Sequence, residues 1–123
     1  MKLIFVEDDP FILMCTTEAL VSQGFEVVTA SRGEEALALL SDTAGCLLMM
    51  LDVRLAGRID GWEVARCARA AHPNIAIVYT TTADSFAFER ESVDRSVLVQ
   101  KPYTLNRAVS AAREACQMVE EGA

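Results

Sequence analysis

The sequence predicts an α/β fold in which a parallel β-sheet is covered by helices on both faces. Five short apolar runs alternate along the chain with five longer segments of helical periodicity, which is the pattern of repeated strand–helix units. The first, third and fourth runs are almost continuously apolar, as is typical of strands buried on both faces. The predicted strands are Leu3–Val6, Phe25–Thr29, Leu47–Leu51, Ile75–Tyr79 and Val97–Val99.

The first two helices have recognisable ends in the sequence. Asp9 is a suitable N-cap for the first helix, and Pro10 is favoured at the first helical position. Gly24 can close the same helix in a left-handed turn before the second strand. Ser31 and Glu34 have the spacing of a capping box and predict the start of the second helix.

The later helices carry similar signals. The third is predicted to begin near Gly61, with Trp62 packed against the core, and to end near His72, which precedes Pro73. The fourth lies between the last two strands, and Thr104 is the predicted N-cap of the fifth. One face of the fifth helix is predicted to be core; it comprises Leu105, Ala108, Val109, Ala112, Cys116 and Val119.

Length and charge limit the kinds of protein this can be. A chain of 123 residues, 52% of them hydrophobic, predicts one domain spanning residues 1–123. Its net charge of −7 and its lack of a Lys/Arg cluster argue against direct nucleic-acid binding. Its apolar runs are shorter than the ~18 residues of a membrane span, and no secretion signal is evident, so a cytoplasmic protein is expected.

The cysteines do not suggest a metal or redox site. They are widely separated, no CxxC pair occurs, and the chain has a single histidine. Reduced, buried thiols are the expected state. The four are Cys15, Cys46, Cys67 and Cys116.

Polar residues follow several of the predicted strands. The carboxyl ends of parallel strands meet at one edge of the sheet, which is where ligands bind in open α/β folds. Acids, hydroxyl groups and one cation should therefore converge there. In strand order they are Glu7, Asp8 and Asp9, then Asp52, then Thr80, Thr81 and Thr82, and finally Lys101.

These residue types suit phosphoryl chemistry. Neighbouring carboxylates repel one another unless a cation or proton offsets their charge, and Mg²⁺ prefers carboxylate oxygens, so Asp8 and Asp52 are its expected ligands. An ionised aspartate can attack a phosphoryl group to form an acyl phosphate. The metal and Lys101 would neutralise charge on the phosphoryl oxygens, to which Thr81 can donate a hydrogen bond.

Five motifs occur in order at the predicted strand ends: VEDD, LLMMLDVRLAG, DGWEVAR, IVYTTTA and KPY. Together they resemble the receiver domain of bacterial two-component response regulators, from about Leu3 to the final helix. The resemblance implies a flavodoxin-like (βα)5 fold, a doubly wound five-stranded sheet in the order 2-1-3-4-5. It also implies Mg²⁺ as the cofactor.

The resemblance assigns a role to each matching position. Asp52 corresponds to the phosphorylated aspartate, which also ligates the metal together with Asp8. Glu7 corresponds to the acid that holds the metal through water, and Arg54 to the residue whose backbone carbonyl completes the metal shell. Thr81 corresponds to the hydroxyl residue that contacts the phosphoryl group.

Lys101 corresponds to the lysine of the phosphoryl site, followed in the family by a cis proline. Two positions depart from the family pattern. Thr82 stands where Ala or Gly is usual, so we expect it to narrow access to the aspartate and slow phosphoryl exchange. Leu98 replaces the aromatic residue whose rotation reports phosphorylation, so that form of coupling is not expected. The loop from Leu55 to Gly61 also has one extra residue.

Because the sequence stops after the predicted fifth helix, a stand-alone receiver without an output domain is expected. It would take a phosphoryl group from a histidine kinase or histidine phosphotransfer protein and lose it by Mg²⁺-dependent autodephosphorylation, with no separate substrate. An apolar surface around Phe11 predicts a docking site for that donor. A downstream protein, not identified by the sequence, would read the phosphorylated state, and dimerisation of that state is left open.

Two alternatives remain open. A receiver fold can serve as a binding module without phosphorylation, which the residues at positions 82 and 98 would suit. A Mg²⁺-dependent phosphohydrolase with an aspartate nucleophile is the other, but such enzymes commonly carry a second Asp two residues later, where this chain has Arg54.

Overall fold

The computed structural model describes residues 1–43, 45–82 and 85–122. Within these ranges five strands alternate with five helices, and the predicted α/β fold is confirmed. In chain order the elements are β1 (Lys2–Val6), α1 (Pro10–Ser22), β2 (Glu26–Ala30), α2 (Gly33–Asp42), β3 (Cys46–Asp52), α3 (Gly61–Ala71), β4 (Ala76–Thr81), α4 (Ser85–Glu91), β5 (Ser96–Gln100) and α5 (Leu105–Gly122).

The strands form one parallel, five-stranded sheet in the order β2-β1-β3-β4-β5. This is the flavodoxin-like order that the resemblance implies. The order reverses beside β1, since the chain adds β2 on one side of it and then crosses back to place β3 on the other. The carboxyl ends of β1 and β3 therefore lie next to each other, where a ligand crevice is expected.

Each face of the sheet packs against its own set of helices. Along β1, Leu3 and Phe5 enter a cluster with side chains of α1 and α5, whereas Ile4 and Val6 enter a cluster with α2 and α3. Successive side chains of a strand point to opposite faces, so a strand covered on both faces needs apolar residues throughout. This explains the continuous apolar runs in the sequence.

Several predicted helix ends are confirmed. One carboxylate oxygen of Asp9 accepts the N–H groups of Phe11 and Ile12 at 2.9 and 3.2 Å, and Pro10 is the first residue of α1. Gly24 follows that helix with φ +95°. Thr104 caps α5 by accepting the N–H of Arg107 at 3.0 Å.

The capping box predicted for α2 is wrong. The helix begins at Gly33, with Arg32 as its N-cap, one position later than the Ser31 cap requires. Glu35 is therefore the third residue of the helix, the position from which an acid can bond back to the N-terminal backbone, and it accepts the Ser31 N–H at 2.8 Å. Glu34 instead accepts the N–H of Arg58, in the loop between β3 and α3, at 2.9 Å.

The core face predicted for α5 is correct except at its first residue. Ala108, Val109, Ala112 and Val119 are buried and Cys116 is half-buried. Leu105 is 44% exposed because the first turn of α5 borders a groove beside α1 instead of covering the sheet.

The thiols are also less uniformly buried than predicted. All four are free, as expected, but only Cys46 is buried; Cys15 is half-buried and Cys67 is exposed on α3. Across the described ranges no helix combines the length and apolarity needed to traverse a bilayer.

Candidate functional site

An acidic cluster lies at the carboxyl edge of the sheet, where β1 and β3 end. Glu7, Asp8 and Asp52 can each offer a carboxylate oxygen, and these oxygens lie within 4.8 Å of one another. Glu7 and Asp52 are buried whereas Asp8 is exposed. The fold thus brings together the three acids predicted from the sequence, with Asp8 nearest to solvent. Asp9 has a different task, because its side chain caps α1.

Lys101 joins two of these acids. Its Nζ donates to Glu7 Oε1 and to Asp52 Oδ2, each at 2.7 Å. The lysine follows β5, and its backbone N–H donates to the carbonyl of Thr81 at 2.9 Å, which positions it at the end of β4. The following bond, to Pro102, is cis.

Burial and ion pairing act against each other in this group. Burial raises the pKa of Glu7, although hydrogen bonds from Lys101 and from the Asp9 N–H lower it and the nearby Asp52 raises it further. Burial alone would lower the pKa of Lys101, but its hydrogen bonds to Asp52 and Glu7 outweigh this and raise it. Lys101 therefore remains charged, and its hydrogen bond favours the ionised form of Glu7 against the effect of burial.

The second oxygen of Asp52 faces the loop that follows β3. Oδ1 accepts the backbone N–H of Arg54 at 3.0 Å, while Oδ2 bonds to Lys101. The Arg54 side chain is exposed. Both carboxylate oxygens of Asp52 are thus oriented by donors, which fixes the rotation of the group.

The three consecutive threonines at the end of β4 occupy different environments. Thr80 and Thr81 are buried, whereas Thr82 is exposed. Thr80 pairs with Asp52 in the sheet register, and its hydroxyl has no hydrogen-bond partner among the residues that the structure describes. Thr81 ends β4 beside Lys101. Thr82 borders a groove that Lys101 also lines.

Gly61 is a residue of the site that the sequence analysis did not single out. A Cβ built there would overlap the Asp52 carbonyl oxygen and would lie 2.7 Å from Val53 Cα, and the Gly61 N–H donates to the Val53 carbonyl at 2.8 Å. Only glycine allows α3 to begin this close to the backbone of Asp52. Glycine in the first turn of a helix, directly after the Asp60 N-cap, was the available signal.

An apolar groove of about 340 Å³ opens beside the acidic cluster, between α1 and the start of α5. Phe11, on its rim, is 68% exposed. A hydrogen bond of 2.9 Å between the Thr16 and Tyr103 hydroxyl groups joins the two sides of the groove. The lining residues are Phe11, Ile12, Cys15, Thr16, Thr82, Lys101, Pro102, Tyr103 and Leu105.

An aromatic cluster lies one strand away from Leu98. Leu98 is half-buried and pairs with Tyr79 of β4. Tyr79 is buried, with its ring centroid 4.6 Å from that of Trp62 and 6.0 Å from that of Phe88. Its hydroxyl accepts the N–H of Val93 at 3.0 Å. The packing role predicted for Trp62 is confirmed.

Comparison with known proteins identifies the family. The family model described as response regulator receiver domain matches residues 3–113. A curated relative, the positive alginate biosynthesis regulatory protein of Pseudomonas aeruginosa, is 34% identical over 121 residues, which are 94% of this chain and 47% of that protein. Sensor kinase CckA of Brucella abortus is 26% identical over 113 residues, 90% of this chain and 12% of that protein. The chain thus spans about half or less of these relatives.

Solved structures agree with this match. A response regulator receiver protein from Sinorhizobium medicae superimposes with a TM-score of 0.88 at 28% identity, covering 98% of this chain and 94% of the other. The receiver domain of NtrX from Brucella abortus gives a TM-score of 0.79 at 26% identity, covering 94% and 98%. The chain belongs to the response regulator receiver domain family of two-component systems.

Proposed function

We propose that the protein is a phosphoacceptor in which Asp52 takes a phosphoryl group from the phosphohistidine of a histidine kinase or histidine phosphotransfer protein. The observation that carries this proposal is the constellation at Asp52: a carboxylate 2.7 Å from Lys101 Nζ and grouped with two further acids. A carboxylate oxygen attacks phosphorus and the P–N bond breaks, so that the electron pair leaves with the imidazole, which is then protonated. Water later cleaves the acyl phosphate.

The donor set fits Mg²⁺. Three carboxylates are grouped together, and a single ammonium group pairs with two of them. This leaves excess negative charge when all three are ionised, and hard oxygen ligands are what Mg²⁺ requires. Asp8 and Asp52 would hold the ion directly, Arg54 through its backbone carbonyl and Glu7 through water. The ion supplies charge neutralisation at the phosphoryl oxygens.

The protein's own groups complete the reaction. Lys101 is positioned to contact a phosphoryl oxygen on Asp52, since its Nζ already bonds to one oxygen of that carboxylate. Thr81, which ends β4 at this site, would donate a hydrogen bond from its hydroxyl to the phosphoryl group. Added charge held by these two residues would favour another arrangement of β4 and α4, changing the face formed by α4, β5 and α5. Residues 1–123 are proposed to act as one receiver whose effect passes through a downstream protein or a phosphorylation-dependent dimer.

Intact-mass analysis after incubation with acetyl phosphate and Mg²⁺ tests the proposal. The expected result is a gain equal to one phosphoryl group that decays after the phosphodonor is removed. An unchanged mass would contradict the proposal and favour a binding module that works without phosphorylation. Steady turnover of an added phosphate ester would instead support a phosphohydrolase.

We expect Thr82→Ala to accelerate both labelling by acetyl phosphate and loss of the phosphoryl group, by about threefold, or roughly 0.65 kcal/mol in activation free energy. The exposed Thr82 side chain lines the groove beside Lys101, so its removal widens the approach to Asp52. The two rates can be measured by quenched-flow mass spectrometry. Thr29→Ala, an exposed threonine of β2, is the matched control, and equal rates in all three proteins would refute the access role.

We expect Phe11→Glu to slow transfer from a phosphorylated histidine phosphotransfer protein by about tenfold or more, because a central aromatic anchor of an interface commonly contributes over 1 kcal/mol. Labelling by acetyl phosphate should be unchanged, since Phe11 lies on the groove rim and outside the acidic cluster. Rates of transfer from a donor that labels the wild type provide the measurement.

Phe86→Glu is the matched control for that experiment. Phe86 lies on α4 and is 66% exposed, almost as much as Phe11, so it receives the same substitution away from the groove. Equal slowing by both variants would mean that the groove is not the docking site. Loss of acetyl phosphate labelling in Phe11→Glu would indicate misfolding.

A further inference from the structure

The loop between β3 and α3 (residues 53–60) connects directly to the proposed metal site. It begins after Asp52 and contains Arg54, whose N–H bonds to Asp52 Oδ1. Its base is closed by the hydrogen bond from the Gly61 N–H to the Val53 carbonyl. Ordering a loop costs conformational entropy, so contacts that fix the far end of this loop also restrict its backbone next to Asp52.

Two contacts from the start of α2 hold that far end. Arg32 forms an isolated parallel bridge with Ala56. Glu34, the second residue of α2, accepts the Arg58 N–H at 2.9 Å. Gly57 lies so close that a Cβ built on it would meet Glu34 Oε2 at 2.7 Å, and its φ of +108° is one that glycine adopts readily.

The charge state of Glu34 favours these contacts with the loop. Hydrogen bonds from the backbone N–H groups of Glu34 itself and of Arg58 lower its pKa, with a smaller contribution from Ile59. The carboxylate is therefore ionised at neutral pH and able to accept these bonds. Charge-assisted hydrogen bonds of this kind are stronger than those between neutral groups.

We infer that Glu34 is a positioning residue for the site at Asp52. By holding the far end of the loop it restricts the backbone of Arg54, whose N–H orients Asp52 and whose carbonyl is a proposed Mg²⁺ ligand. The inference rests on the proposed function, because it concerns the ion that the acidic cluster would bind. Groups that orient metal ligands commonly change metal affinity when they are removed.

Isothermal titration of the unphosphorylated protein with Mg²⁺ tests this inference. Glu34→Ala should raise the Mg²⁺ dissociation constant about fivefold, below the 10- to 100-fold range typical of groups that touch a ligand directly. Glu35→Ala is the matched control, because it removes the same charge and the hydrogen bond to Ser31 from the same turn of α2 without touching the loop. Glu34→Gln should restore most of the affinity, since its amide oxygen can still accept the Arg58 N–H.

Amide hydrogen exchange without metal gives a second readout. Glu34→Ala should speed exchange at Arg58 and also at Arg54, whereas Glu35→Ala should leave both amides as in the wild type. An unchanged dissociation constant in Glu34→Ala, or equal weakening in Glu34→Ala, Glu34→Gln and Glu35→Ala, would overturn the inference while the phosphoacceptor function stands. Absence of Mg²⁺ binding by the wild type would overturn both.

Discussion

Asp52→Asn is expected to abolish labelling by acetyl phosphate. The amide is close to the carboxylate in size but lacks its negative charge and is a poor nucleophile, so no acyl phosphate should form. The fold should persist, because the Asn oxygen can still accept a hydrogen bond from either the Arg54 N–H or the Lys101 ammonium, the two donors that orient Asp52. Intact-mass analysis in the presence of Mg²⁺ is the measurement, with circular dichroism to check the fold.

Asp9→Asn provides the matched control for this variant. Asp9 is an acid of the same cluster in sequence, but its side chain caps α1, and asparagine is an equally good capping residue. Labelling of Asp9→Asn should proceed as in the wild type. Labelling of Asp52→Asn to the wild-type extent would place the phosphoacceptor at another residue and overturn the mechanism proposed here.

The features of the fold that could be predicted from the sequence are those set by local pattern. Continuous apolar runs indicate strands buried on both faces, and the caps at Asp9 and Thr104 follow from the hydrogen-bonding capacity of short polar side chains. Strand order has no such local signal, because strands that are apolar throughout can pair with any neighbour. The order β2-β1-β3-β4-β5 was expected only from the family resemblance.

In the candidate site, too, some features follow from the sequence pattern and others have no local signal. Acids at the ends of β1 and β3 were expected to meet because parallel strands end at one edge, and Glu7, Asp8 and Asp52 do so. Lys101 was expected at the same edge, but its ion pair with Glu7 joins residues 94 positions apart, and no spacing rule predicts that choice of partner. Glu34 was misassigned because its partner, Arg58, lies 24 residues away in a loop, while the local pattern pointed to a cap.

Lys101→Met is expected to lower the free energy of unfolding by about 3 kcal/mol at pH 7, the lower end of the range for removing one partner of a buried ion pair. Lys101 bonds to Glu7, which is fully buried, and to Asp52. Methionine keeps an unbranched apolar chain of similar length but leaves both carboxylates without their cation. Urea unfolding followed by the fluorescence of Trp62, the single tryptophan, measures the change.

The loss should depend on pH in a direction set by Glu7. Because the folded pKa of Glu7 is raised by burial, its protonation favours the folded state, and that stability is present below the ordinary value of 4.5 and lost as pH rises through the folded pKa. Without Lys101 the folded pKa rises further. The difference in the free energy of unfolding between wild type and Lys101→Met should therefore widen from pH 4.5 upward.

At alkaline pH the difference in the free energy of unfolding between wild type and Lys101→Met should narrow again. The pKa of Lys101 is raised by its two carboxylate partners, so its contribution is fully present below the ordinary value of 10.5 and is lost as pH rises through the folded pKa. Lys2→Met is the matched control, since Lys2 is the only other lysine and its ion pair with Glu26 is exposed. That variant should change stability by about 0.5 kcal/mol or less.

A second substitution separates loss of the ion pair from loss of packing. Glu7→Gln in the Lys101→Met background removes the buried charge that the lysine offsets, so most of the lost stability should return at pH 7, and the double-mutant cycle should show strong coupling. Mg²⁺ should also stabilise Lys101→Met more than the wild type, because ligand binding to the folded state adds stability and the ion supplies the missing positive charge. If the effects of the two substitutions on stability are additive and the difference between wild type and Lys101→Met does not change with pH, Lys101 stabilises the fold through its aliphatic chain. Its charge would then act only on the phosphoryl group.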